Sequence, residues 1–211
     1  APPQLSGDGA PWALLADVDA LIRRAGGDGG VQDLAECTVF LKDINMAPQV
    51  RRALNSTLLG GGGSPALSVV EAGVEDGQDV GLRCVASVAD LGDLADQQRV
   101  VSIGSAVVAR KFVFTSGQID HTASGREALS ELEKSLAGAG AGLSDVVSCH
   151  FFLRDQAKVM QLFSSFYDIF NVHHPPPPTR DELQAVSECA DCELLARCIA
   201  ALPAGQAEIV V

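Results

Sequence analysis

A chain of 211 residues with 47% hydrophobic and 20% charged content is long enough for one large domain or two small ones. A net charge of −12 repels phosphate backbones and anionic lipid, so nucleic acid and membrane surfaces are not expected partners. No apolar run approaches the roughly eighteen residues of a membrane-crossing helix, so no membrane insertion is expected.

Along the chain, residues 1 to 10 (APPQLSGDGA) are turn-formers and are expected to be disordered. Residues 11 to 25 carry Leu14, Leu15, Val18, Leu21 and Ile22 on one helical face, and Gly26 and Gly27 stop the helix. CTVFL from Cys37 is a short apolar run of strand length. Residues 46 to 59 return to helical spacing and end at GGGG, which reads as a helix stop, because it lacks the lysine and hydroxyl residue of a phosphate loop. Residues 66 to 72 and 80 to 88 read as two strands, and residues 89 to 99 as a linker. Two further strands are predicted over 100 to 109 and 111 to 119, with a turn near Arg110, then a helix over 126 to 136. A strand at CHFFLRD and a helix over 157 to 170 follow. HHPPPPT at 173 to 179 reads as a stiff loop, neither helix nor central strand. Residues 183 to 186 and 193 to 202 close a sheet.

This order contains one unit twice. VQDLAECTVFLKD at 31 to 43 is echoed by LSDVVSCHFFLRD at 143 to 155, with Asp33, Cys37, Leu41 and Asp43 falling on Asp145, Cys149, Leu153 and Asp155. LRCVASV from Leu82 is echoed by ARCIAAL from Ala196 at nearly the same offset. Two related units are implied: residues 11 to 88 and 100 to 211, the first lacking the two strands that open the second.

The second copy resembles the RidA family, also called YjgF or Rid (endoribonuclease L-PSP-like) proteins. The likeness is carried by VSIGSAVVARKFVFTSGQI from Val101, AGAGLSDVV, CHFFLRD, YDIF, PPPTR and ARCIAALP, which together span nearly all of residues 100 to 203. The first copy matches from about residue 16 to 88. The resemblance implies an α+β fold, each domain a mixed (chorismate-mutase-like) sheet with two helices on one face, with ligand clefts between neighbouring domains. Enzymes of the family hydrolyse imines and enamines to a 2-keto acid and ammonia without metal, and a loop arginine clamps the substrate carboxylate. Arg180 falls on that position. Ser116, Gly117, Gln118 and Ile119 fall on the segment that shapes the cleft, so a small 2-keto or 2-imino acid is the implied ligand.

Other positions depart from that pattern. Ala106 stands near where active members carry a tyrosine, and Arg197 where they carry a water-positioning glutamate. In the first copy Leu67 replaces the arginine, and Arg83 repeats the reversal. The expected function is therefore a catalytically degenerate tandem acting as a structural or accessory subunit among other protein chains. A 2-imino acid deaminase and a ligand-sensing pair, similar in architecture to the paired Rid-like domains of diphthine ammonia ligase, are the alternatives. The hairpin missing from the first copy should leave a strand edge that another segment covers.

Six cysteines, four of them at repeat-equivalent positions, read as buried apolar residues more than as a disulfide framework, which favours a reducing compartment. The start at APPQ without methionine fits removal of a presequence, and so a mitochondrial matrix or other organelle, otherwise the cytoplasm. Cys189, Cys192 and Cys198 suggest zinc at first sight, with a fourth ligand from Cys149, His173 or His174, but the spacing is incomplete. Neither metal nor cofactor is expected. The His173–His174 pair reads as loop, and Phe151, Phe152, Phe163, Phe166 and Phe170 read as core.

Overall fold

The computed structural model describes residues 11–25, 30–58, 64–74, 78–87, 100–103, 106–109, 111–173 and 178–203. Helix α1 (Pro11–Arg24) precedes strand β1 (Leu34–Leu41), helix α2 (Ala47–Leu58) and strands β2 (Ala66–Glu71) and β3 (Val80–Ala86). The second copy opens with β4 (Val100–Ile103), β5 (Ala106–Ala109), β6 (Phe112–Thr115) and β7 (Gln118–Asp120). It continues through α3 (Arg126–Gly138), β8 (Val146–Leu153), α4 (Val159–His173), β9 (Thr179–Gln184), β10 (Val186–Ser187) and β11 (Leu194–Ala201). The predicted segments 1 to 10, 60 to 63 and 89 to 99 lie outside the described residues.

The repeat is exact at the level of strand pairing. Cys37 on β1 lies beside Leu67 on parallel β2 and opposite Cys84 on antiparallel β3. Cys149 on β8 lies beside Arg180 on parallel β9 and opposite Cys198 on antiparallel β11. Leu67 is thus the structural counterpart of Arg180. Both central strands are covered on two faces, which explains their nearly unbroken apolar sequence. Cys37, Val39 and Leu41 point to α1 and α2, packing with Leu15, Val50 and Leu54. Cys149, Phe151 and Leu153 point to α3 and α4, packing with Leu129, Leu132 and Phe166.

The opposite faces of the two sheets pack on each other. Phe40, Val70 and Ala72 of the first copy meet Phe152, Ala185 and Leu195 of the second, while Ala35 and Ala66 meet Val107, Phe114 and Ile199. The first sheet has the order β10-β2-β1-β3, so a short strand of the second copy extends it at β2. The second has the order β4-β5-β6-β11-β8-β9, with β7 also on β11. Beside β3, where the second copy has β6 and β7, no strand stands among the described residues.

Several expectations are corrected. The strand predicted over 100 to 109 is a pair: Ile103 lies opposite Ala106, so β4 and β5 are antiparallel neighbours. The strand predicted over 111 to 119 keeps its direction through a break: β6 and β7 both run antiparallel to β11, and their register on it shifts by one residue across Ser116 and Gly117. Apolar alternation is silent about a reversal such as that of β4 and β5. The proline-rich stretch is narrower than predicted. His173 ends α4 and Thr179 begins edge strand β9, the prolines lying between. Cys37, Cys149 and Cys198 are buried in the strands as expected and Cys84 is half-buried, but they are joined, as Cys37–Cys84 and Cys149–Cys198, with Cys189–Cys192 in a loop. Directly opposed positions on neighbouring antiparallel strands, with Cα atoms 4.1 Å apart in both cases, bring the sulfurs together.

Candidate functional site

Ser116 and Gly117 sit where β6 gives way to β7, and Gln118 and Ile119 begin β7. This segment faces the first copy. The Gly117 N–H donates to the Leu67 carbonyl at 3.4 Å, and the Leu67 N–H donates to Ser116 Oγ at 3.4 Å. A Cβ at Gly117 would come within 2.8 Å of Leu195 Cδ2 and 3.0 Å of Ser68 Oγ, so only glycine lets the segments approach. Gln118 is half-buried with its side-chain amide on the Ser116 carbonyl, and Ile119 is exposed.

Arg180 lies elsewhere. It points to α4: its Nε donates to Glu182 at 2.7 Å and its Nη1 to the Tyr167 hydroxyl at 2.7 Å, while the guanidinium stacks 4.1 Å from the centre of the Phe163 ring. Burial works against its charge, but the Tyr167 and Glu182 contacts outweigh it and hold its pKa above the ordinary value. No hydrogen bond described joins Arg180 to residues 116 to 119.

Between the packed sheets lies a layer of buried polar groups. Arg197 on β11 is 3% exposed and forms an ion pair with Glu36 of the first copy, itself 3% exposed. Burial pulls Arg197 down to about 10, which leaves it charged at neutral pH. Thr38 Oγ1 and Ser68 Oγ are buried nearby in the sheet of the first copy without a hydrogen-bond partner among the described residues. His150, paired in register with Arg197, is buried and lies 3.4 Å from Asp181 across to β9. Burial depresses its pKa; Asp181 opposes that shift, and Arg83 of the first copy adds to it. Thr115 exchanges two hydrogen bonds with the backbone of Cys198 and so fixes β6 on β11. Ala106 lies opposite Thr115 at the start of β5.

Glu36 escaped sequence reading, since a single acid in an apolar run has no local signal for a partner 161 positions away (197 − 36 = 161). His121 was also missed. Its ring, with Cys189, Asp191 and Cys192, forms a cluster whose donor atoms all lie within 4.8 Å of one another. Of the other ligands considered for zinc, Cys149 and Cys198 are joined in the core, His173 ends α4, and His174 lies outside the described residues.

The fold is a tandem of two α+β units, each with two helices on the outer face of its sheet. A YjgF-family protein from Neisseria meningitidis matches at 18% identity and a TM-score of 0.43, covering 47% of this chain and 86% of that one. Yeast Mmf1 matches at 21% identity and 0.42, covering 53% and 90%, and E. coli TdcF with bound serine at 23% and 0.41, covering 53% and 92%. Each match is to about half of the present chain. No protein-family model and no curated protein matches it.

Proposed function

We propose that the chain is a catalytically degenerate Rid-like tandem that serves as a structural or accessory subunit of a larger assembly. The observation that carries this reading is the Arg197–Glu36 pair. The position where the resemblance implies a glutamate for the attacking water holds a cation, and that cation is buried against the other copy, leaving no carboxylate free there to position water. The Ser116–Gly117 segment supports the same conclusion, because its groups bind the Leu67 backbone where a substrate carboxylate would otherwise seek donors. The interface is also head-to-tail: the outer edge of β2 is covered by β10, while its counterpart, the outer edge of β9, and the edge of β3 have no strand beside them among the described residues. Such edges are templates for strands of another chain.

The test is native mass spectrometry of the protein isolated from its source, alongside a keto-acid release assay on 2-imino acids generated by an amino acid oxidase. Stoichiometric co-purifying chains and a rate no greater than the spontaneous one are expected. A robust rate abolished by Arg180→Ala would replace this reading with the deaminase.

A further inference from the structure

The cluster at His121 belongs to neither the cleft nor the core, and its construction is specific. Three separate elements deliver it. β7 ends at Asp120, buried to 1% exposure, whose carboxylate accepts from the N–H groups of Thr122, Glu127 and Ala128 and so fixes the chain on either side of His121. The end of β8 supplies Arg154, whose guanidinium donates to the carbonyls of Cys189 and Cys192 at 3.0 and 2.8 Å and clamps the Cys-x-x-Cys turn from below. The start of β11 ties both together, Glu193 donating its N–H to the Asp120 carbonyl and accepting from the Arg154 N–H. On this frame His121 Nδ1 lies 3.8 Å from Cys192 Sγ and 3.5 Å from Asp191 Oδ2, and Cys189 Sγ lies 3.1 Å from Asp191 Oδ1.

We propose that, once the Cys189–Cys192 disulfide is reduced, Cys189, Cys192, His121 and Asp191 bind one zinc ion. Two thiolates, an imidazole and a carboxylate are a tetrahedral zinc set, and bonds of about 2.0 to 2.3 Å require ligand atoms about 3.3 to 3.8 Å apart, close to the spacings present. The two sulfurs must move apart and the other atoms, all within 4.8 Å of one another, need only close in; the two cysteines lie in a loop. The thiolates select zinc over magnesium or calcium. A dithiol reductant gives two electrons and two protons to the sulfurs, breaking the S–S bond and itself closing to a disulfide. Zinc then displaces the two thiol protons as two zinc–sulfur bonds form. Hydrogen peroxide reverses this: it takes two electrons from the thiolates and two protons from solvent, the S–S bond re-forms as the O–O bond breaks, two water molecules leave and zinc is released. Because the neighbouring Glu188 binds Arg51 on α2 and β10 pairs with β2, the loop that would hold the metal also joins the two copies.

The first copy has no such set. Its residues at the corresponding offsets are Glu75, Gly77 and Gln78, and among the described residues it has no counterpart of β7.

The experiment uses the full chain, with cobalt as the spectroscopic probe and zinc in competition with a chromophoric chelator. After mild reduction, one equivalent of cobalt should give thiolate charge-transfer and tetrahedral visible bands, which zinc displaces; the untreated protein should give none. His121→Asn should weaken zinc binding roughly 10-fold or more. The double variant Cys189→Ser with Cys192→Ser keeps both core disulfides and should show no thiolate band. Absence of tetrahedral bands in the reduced protein, equal bands in the double variant, or unchanged affinity in His121→Asn would each overturn the proposal. X-ray absorption of the zinc-loaded protein checks the same point without relying on variants: two sulfurs are expected, and none would refute it.

Discussion

At the scale of single residues, the buried Arg197–Glu36 pair dominates. Two charges removed from water are tolerable only together, so Arg197→Ala strands Glu36 and should cost about 3 to 5 kcal/mol, whereas replacing both by leucine should recover most of that loss. Urea unfolding of the single and double variants reads the difference. Gly117→Ala belongs to the same interface. The added methyl meets Leu195 and Ser68, and a cost of about 1 to 3 kcal/mol is expected from forcing the sheets apart. His150 sets a pH dependence. Its pKa is depressed from 6.5 chiefly by burial, so below that value the unfolded chain takes up a proton that the native state resists. Stability should therefore be fully present above 6.5 and fall as the pH drops below it, and His150→Phe should flatten that part of the curve.

At the scale of elements, β9 and α4 are joined by Arg180. Its guanidinium bridges Glu182 and Tyr167 and stacks on Phe163, so Arg180→Ala should loosen the β9 edge, at a cost of about 1 to 2 kcal/mol. Under the proposed function the loss is one of stability and not of turnover. Strand β3 offers the complementary test. Paired among the described residues with β1 alone, it should exchange its outward-facing amide hydrogens quickly in the isolated chain and slowly in the assembled protein; full protection in the isolated monomer would remove the need for a covering partner. Element positions were largely legible beforehand because each helix has one apolar stripe and each central strand an apolar run. The reversal between β4 and β5 was not, because a hairpin and one longer strand share the same apolar content.

At the scale of the whole molecule, the internal repeat determined the α+β tandem, since equal spacing of Asp, Cys, Leu and Asp in two segments requires two strands in equivalent places. The reading of Ser116 to Ile119 as a candidate segment, and of Ala106, Leu67 and Arg197 as departures, came from comparing a local motif with a pattern. The tertiary structure alone decided what these residues meet. Arg180 turns to α4, Ser116 and Gly117 turn to Leu67, Arg197 finds Glu36, and His121 arrives beside Cys189 and Cys192. The reason is physical. Periodicity and motif spacing record interactions between near neighbours in the chain, whereas ion pairs, disulfide partners and ligand clusters depend on which sheet faces pack together, and that packing is set by apolar surface on all the elements at once.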